Sequence, residues 1–419
     1  MEKISIAIIG GGASGLFLAN LLAEQYEKSG KPFSKTVVFE RGERVGRKLS
    51  ATGNGQGNIT NSAVLSSEYF SSEKTSLGRV FEILRAHSNA EFQAFWESRG
   101  MPLIADERGR MYPAGRQASA LTDALRFYAS PRGVELRVSA WVKKLEKRGD
   151  GFLLHYEKDG TLQECFAEKV ILCAGGKAAK NFGTDGSAYA LAQSFGHTVT
   201  PLYPSLVQLK TETAHTKALK GIRVANGGLT AKMPSGECAV RGDIIFTDYG
   251  ISGDAVFRIS AFLTDKIADG QTSVFIDFLP QTEEKEILRL LQEKRRAYKE
   301  LETQELLFGV VNNQIGRAIM RRAAGDIGKA AAFVKAFPLS VTGSLGFDYA
   351  QVTKGGIPLS ETGTDLESVY ASGLYFAGEI LDVDGQCGGF NLQWAYSSAC
   401  TVANALVKEN KKVKGGGTV

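Results

Sequence analysis

The residues whose types and spacing imply chemistry begin at Gly10-Gly11-Gly12-Ala13-Ser14-Gly15. Gly10, Gly12 and Gly15 make a Gly-x-Gly-x-x-Gly pattern with a separate task for each glycine. The first permits a tight turn, the second lets the backbone approach a pyrophosphate, and the third lets a helix pack close to a strand. Ala13 and Ser14 open that helix, whose free N–H groups and positive dipole end attract phosphate. Further on, Glu40 closes the apolar run Thr36-Val37-Val38-Phe39. A carboxylate at such a strand end accepts hydrogen bonds from both ribose hydroxyls and repels a 2′-phosphate. The pattern therefore predicts FAD or NAD here and argues against NADP.

Two more stretches extend the same chemistry. After Arg41 come Arg47 and Lys48, then a Gly/Asn-dense segment with Thr52, Gly53, Asn54, Gly55 and Asn58. Such a segment cannot be a helix or strand interior, and its unhindered N–H groups suit a loop laid along phosphates and a ribityl chain. Near the C-terminus, an apolar strand ends in Gly378-Glu379, followed by Asp384 and by Gly388-Gly389-Phe390-Asn391. Glu379 can bind a ribityl hydroxyl, and a helix opening at Gly389 can face an electron-rich flavin edge. A third strand end, Ala174-Gly175-Gly176, offers another backbone contact to the same elongated ligand. Asp382 and Asp384 lack a His or further carboxylate at ligand spacing, so no metal is expected. For catalysis the sequence offers Tyr112, Asp248 and Tyr249 in loops able to cover the flavin, and Arg110 to orient an anionic substrate. Cys387 reads as a small packed side chain, and His87, His155, His197 and His215 fall in no motif and read as structural.

The elements that must position these residues follow from periodicity. A buried strand precedes Gly10, and an amphipathic helix runs from Ala13 to about Lys28. Helices are predicted over 77–87, 90–99 and 117–129, with a short strand at 108–113 between the last two. A meander is predicted over 134–173, with strands at 135–138, 141–145, 152–156 and 169–173. From about residue 197 the chain reads as a β-rich, barrel-like insertion with strands at 199–209, 222–233 and 237–246. Residues 247–253 turn into a helix, and 283–322 reads as a charged, mostly solvated helical part. A strand at 337–342 leads back, a last helix runs to about Val407, and the tail from Lys408 is expected to fray. The predicted organisation is α/β: a Rossmann-like FAD-binding domain (1–196 and 336–419) interrupted by a barrel-like domain (197–279) and a small helical domain (280–335).

Composition narrows the function class. A chain of 419 residues with 43% hydrophobic and 23% charged residues is a globular protein of two or three domains. A net charge of +5 without a clustered basic stripe predicts neither nucleic acid nor a membrane surface as partner. Five cysteines, odd in number and without a C-x-x-C pair, fit a reducing cytoplasm.

With both ends in view, the chain resembles the bacterial FAD-dependent flavoproteins grouped as BaiN-type or aminoacetone-oxidase-type. The resemblance rests on Gly10 to Gly15, Gly46-Arg47-Lys48 with Thr52 to Asn61, Phe246 to Gly253, Val352-Thr353-Lys354-Gly355-Gly356, and Gly373 to Asn391. It covers nearly the whole length. It implies a Rossmann-like FAD domain interrupted by a barrel and a helical domain; the strand ends at Gly10, Gly175 and Glu379, converging with Glu40, predict tight noncovalent FAD, and the expected activity is hydride transfer with a small organic substrate. The chain departs from the family at Gln56-Gly57, where Arg-Cys is usual, at Asp254 in place of Pro, and at Cys387 in place of a common Thr. Only one dinucleotide fingerprint is visible, so NADH or NADPH, if used as electron donor, must visit the flavin transiently. The competing expectation is a flavin-binding redox sensor or scaffold without turnover.

Overall fold

The computed structural model describes residues 1–29, 34–64, 66–214, 216–233, 236–267 and 272–415. Contacts gather into two compact units, Met1–Leu202 with Val352–Val419, and Tyr203–Gln351.

The first unit is built on a mixed sheet, seven-stranded among the described residues. Strand Glu2–Ile9 lies at its middle, parallel to Thr36–Phe39 on one side and to Thr161–Leu172 on the other. Val134–Arg137 continues the parallel half beyond Thr36–Phe39. The near-continuous apolar run Ile6-Ala7-Ile8-Ile9 is what a parallel strand covered on both faces requires. Thr161–Leu172 works twice. Its first half pairs antiparallel with Gly151–Lys158, and its end pairs parallel with Leu374–Phe376. Ile9 and Leu172 stand side by side in register, so two glycine-bearing strand ends open at the same edge. Ligands of open α/β sheets bind at such an edge.

Helices Ala13–Ser29 and Phe390–Gly415 pack on one another. Phe17 of the first meets Phe92 edge-on at 5.2 Å, and Phe92 stacks on Tyr396 of the second at 4.2 Å. The capped helix Asn89–Glu97 supplies Phe92; its Ser88 hydroxyl and Glu91 carboxylate satisfy each other's backbone N–H groups. The last helix continues to Gly415, past the fraying expected at Lys408; residues 416–419 lie outside the described residues.

In the second unit Leu209–Thr211, Gly250–Ser252, Gly236–Phe246, Arg223–Met233, Ser273–Asp277 and Phe337–Ser344 form a closed barrel in that order. One sequence reading needs correction here. The strand at 337–342 does not lead back into the Rossmann-like sheet. Phe337, Leu339 and Val341 alternate inward and pair with Ser273–Asp277 and Leu209–Thr211, which closes the barrel and removes its edges. The charged helix Glu284–Ala297 is mostly exposed, as expected, but this part of the chain is not independent of the barrel. Ile287 and Leu291 of Glu284–Ala297, and Ile315 and Ile319 of Asn313–Arg322, are buried in the same core as the barrel's Leu229 and Ile276.

Candidate functional site

The site in the first unit starts at the turn after Glu2–Ile9. Gly10 has φ +109°, and a Cβ there would stand 2.6 Å from the Ala174 Cα and from the Cys173 carbonyl. Only glycine lets the two strand ends approach this closely. A Cβ on Gly15 would meet the Gly10 carbonyl, so this residue allows the close return of the helix. Gly12 is different: a Cβ there meets no atom within 4 Å. The turn thus presents unobstructed backbone at the N-terminus of Ala13–Ser29, a cradle that fits a pyrophosphate. The Ser14 side chain is taken up within the protein. Its hydroxyl is buried, donates to the Cys173 carbonyl at 3.4 Å, and lies against Gly378.

Glu40 is held beside this turn. Its Oε2 accepts the Gly11 N–H at 2.9 Å and its Oε1 the Gly42 N–H at 2.7 Å. Each oxygen keeps a lone pair, enough for two ribose hydroxyls. Arg41 and Arg47, expected along the phosphates, both reach the 181–187 loop. Arg41 donates to Asp185 Oδ2 at 2.8 Å, to Ser187 and to the Gly183 carbonyl, while Arg47 donates to the Asn181 carbonyl at 2.7 Å. Arg41, with carboxylate, hydroxyl and carbonyl partners, pins the 181–187 loop, while Arg47 uses one N–H there and stays exposed.

Lys48 ties the two ends of the sequence together. Its Nζ lies 2.8 Å from Glu379 Oε2, and Glu379 Oε1 accepts the Thr353 N–H at 2.9 Å. The Thr353 hydroxyl accepts the N–H groups of Lys177 and Ala178, and a Cβ on Gly176 would strike it. Three strand ends therefore meet: Ala174-Gly175-Gly176, Val352–Lys354 and Gly378-Glu379. The Thr353 role was missed at the sequence level, although its Val-Thr-Lys-Gly-Gly segment is part of the resemblance. Tyr189 was missed as well. It is buried, its hydroxyl proton is held well above the usual range by burial, and Glu379 and Asp382 act on it.

The Gly/Asn-rich loop turns through left-handed backbone at Gly53, Asn54, Gly55 and Gly57, and a Cβ on Gly55 meets open space. Thr52 closes a turn on the Lys48 carbonyl at 3.2 Å. With its amide oriented to suit its neighbours, Asn58 donates to the Thr60 carbonyl and accepts the Gly389 N–H, both at 3.2 Å. Gly389, at φ +95°, presses against the Thr60 backbone. Asp384 is fully buried and pairs in a short ladder with Phe70. Phe390 packs its ring on Tyr69 at 5.9 Å. The Asn391 side chain clamps Gly385, accepting its N–H at 2.8 Å and donating to its carbonyl at 2.7 Å. At this helix start, backbone rather than the Phe390 and Asn391 side chains is left to meet a ligand.

The expected catalytic residues are not brought together within one unit. Tyr112 belongs to the first unit, on strand Arg110–Pro113. Asp248 and Tyr249 belong to the second, in the turn before Gly250–Ser252. Asp248 is exposed, and its pairing with Lys220 at 2.8 Å holds its carboxyl below the usual range. Arg110 is paired with Asp106 at 2.7 Å. His197 is buried between Glu361 Oε2 at 3.0 Å and the Ser368 hydroxyl at 2.7 Å, and His215 lies outside the described residues. Among the described residues no helix is long and apolar enough to cross a membrane, and no group of three or more His, Cys, Asp or Glu side chains is placed to share a metal ion.

Comparison with known proteins adds independent findings. A family model described as HI0933-like protein Rossmann domain matches residues 4–405. The chain is 33% identical to the 3-dehydro-bile acid delta(4,6)-reductase of Clostridium scindens, over 96% of this chain and 99% of that one. It is 29% identical to the ribosomal RNA dihydrouridine synthase of Haemophilus influenzae, over 96% and 98%. Among solved structures, the 3-ketosteroid delta1-dehydrogenase of Sterolibacterium denitrificans shares the fold at a TM-score of 0.52 and 13% identity, covering 98% of this chain and all of that one.

Proposed function

Because this chain belongs to the HI0933-like Rossmann family of FAD-dependent oxidoreductases, we propose that it reduces a carbon–carbon double bond conjugated to a carbonyl in a small organic substrate, using noncovalent FAD. The observation that carries the direction of reaction is the likeness, over 96% of the chain, to a protein named for reducing the 4,6 positions of a 3-dehydro bile acid. A dihydrouridine synthase makes the same change in a pyrimidine ring, by saturating a bond next to a carbonyl. The modest charge of +5 favours the small molecule over RNA as substrate here.

FAD, when bound, supplies a two-electron store that accepts a hydride from one partner and passes it to another. The chain's residues do the rest. The Gly10–Gly15 turn and the helix behind it take the pyrophosphate, and Glu40 takes the adenosine ribose. Lys48, Glu379 and the Gly176 strand end line the ribityl stretch, and the start of the last helix takes the far end. NADH or NADPH serves as a visiting donor, consistent with the single Gly-x-Gly-x-x-Gly turn. Five free thiols support a reducing, cytoplasmic location.

The test is anaerobic. NADH or NADPH should bleach the flavin, and 4-androstene-3,17-dione should restore its colour while yielding the saturated ketone. Bleaching by small amines, with no reoxidation by the enone, would replace this reading with an amine oxidase. Boiled protein should release FAD; FMN would count against the Glu40 ribose site.

A further inference from the structure

Strand Arg110–Pro113 pairs with Thr60–Asn61, the segment against which Gly389 and the start of the last helix are pressed. Tyr112 lies on this strand with 6% of its surface exposed. Its hydroxyl forms no hydrogen bond with any described residue and is not among the side-chain atoms sealed from solvent, so a buried ring presents an open donor. Cys387, two residues before Gly389, is close enough to act on it electrostatically. Burial raises the Tyr112 pKa while Arg110 and Arg116 oppose the rise, so the group is a neutral donor at working pH.

Arg116 is the second observation. It is not glycine, yet its backbone is left-handed, at φ +46°. Its guanidinium carbon lies 4.6 Å from the centre of the Tyr112 ring, and its Nη1 donates to Gln56 Oε1 at 3.0 Å. Residues kept in costly backbone conformations gather at functional sites. Here the left-handed residue places a cation against the phenol ring, and the residue that holds it is Gln56.

We propose that Tyr112 is a catalytic residue whose hydroxyl holds the carbonyl oxygen of the substrate and protonates it as charge develops there, with Arg116 steadying the ring. This rests on the reading of the protein as a reductase of conjugated carbonyl compounds. The hydride, carrying two electrons from the reduced cofactor, forms a C–H bond at the β-carbon. The C=C pair moves to join the α-carbon and the carbonyl carbon, and the C=O pair moves to oxygen. Tyr112 gives its proton to that oxygen and regains one from water. The enol then takes a proton from water at the α-carbon and releases one from oxygen, for a net gain of one hydride and one proton. A hydrogen-bond donor fixed where the oxyanion forms acts most in the transition state.

Tyr112→Phe in the holoenzyme tests this, because the change removes one oxygen atom and leaves the ring under Arg116. Bound FAD and bleaching by the nicotinamide should be unchanged, while reoxidation by 4-androstene-3,17-dione should slow by about 10²–10³-fold. A second readout needs no turnover. The ultraviolet enone band of this steroid, bound to the oxidised protein, should move to longer wavelength in wild type and not in Tyr112→Phe, since a hydrogen bond to the carbonyl causes the shift. Reoxidation of the variant at the wild-type rate, or the same band shift in both proteins, would overturn the proposal and leave the reductase reading standing. Failure of the enone to reoxidise the wild type would overturn the reductase reading itself, and this proposal with it.

Discussion

Gly12 and Gly10 stand two residues apart and should respond oppositely to the same substitution. In Gly12→Ala the new methyl group meets no atom within 4 Å. The backbone there is not left-handed, so the cofactor-free protein should keep its stability or gain about 0.4–1 kcal/mol through a less flexible unfolded chain. On the proposed reading, the methyl group occupies the space the pyrophosphate needs. Charge-assisted hydrogen bonds are worth about 1.5–3 kcal/mol each, and losing two costs about 3–6 kcal/mol. That is about a 10²–10⁴-fold rise in the Kd for FAD. In Gly10→Ala the methyl group falls 2.6 Å from two backbone atoms at a φ of +109°. A left-handed penalty of about 1–2 kcal/mol adds to overpacking of about 1–3 kcal/mol, so the protein should lose about 2–5 kcal/mol before any ligand is considered. Thermal unfolding of flavin-stripped protein and titration with FAD, followed by flavin fluorescence, separate the two effects. If Gly12→Ala binds FAD as wild type does, or is destabilised as much as Gly10→Ala, the cradle is not where the pyrophosphate lies.

Three further outcomes are expected. Glu40→Gln keeps one acceptor where two N–H groups now bind, so FAD affinity should fall by about 1–3 kcal/mol; unchanged affinity in a titration would move the ribose elsewhere. Lys48 and Glu379 are paired with side chains 27% and 19% exposed, and a double-mutant cycle with Lys48→Met and Glu379→Gln should show coupling of about 1–2 kcal/mol, between surface and buried values. Coupling near zero would reduce the pair to a chance contact. His197 carries a pKa lowered by burial, with Glu361 opposing. The folded state therefore takes up its proton less readily than the unfolded state does near pH 6.5. The neutral imidazole's stabilisation is complete above pH 6.5 and falls away as pH drops below it toward the lowered folded value, by at most about 1.4 kcal/mol per unit. Melting temperature against pH should be flatter for His197→Gln between pH 6.5 and 5, and identical slopes would contradict the assignment.

Much of the fold was legible because its demands are local. An apolar run before Gly10 and period 2 over 222–233 and 237–246 each follow from the chain's immediate neighbours, whereas the helix expected to be amphipathic over 13–28 is buried all round from Ser14 to Ala23. Strand Thr161–Leu172 was read only over its apolar end, because Gln163, Glu164 and Glu168 hide the rest; pairing with Gly151–Lys158 is what makes them strand. Phe337–Ser344 was recognisable as a strand but not as a stave of the barrel. Alternation says that one face is buried without saying in which sheet. In Glu284–Ala297 charge outweighed the apolar pair Ile287 and Leu291, a single buried face on an otherwise polar helix.

The site divides along the same line, between backbone and long side chains. Glycine positions and Glu40 were readable because a tight turn or strand end constrains the residue that occupies it. Arg41, Arg47 and Asn391 were assigned to the ligand because their types suit phosphate or flavin. Their direction, however, is decided by acceptors distant in sequence or set by a loop: Asp185, Gly183 and Asn181 for the arginines, Gly385 for the asparagine. Likewise Lys48 finds Glu379 across 331 positions, and no spacing rule reaches that far. The track that fits a dinucleotide is thus drawn mostly by backbone, while the polar side chains around it fasten its loops to one another. Substitution of Arg41 or Asn391 should accordingly loosen a loop before it costs a direct contact with the cofactor.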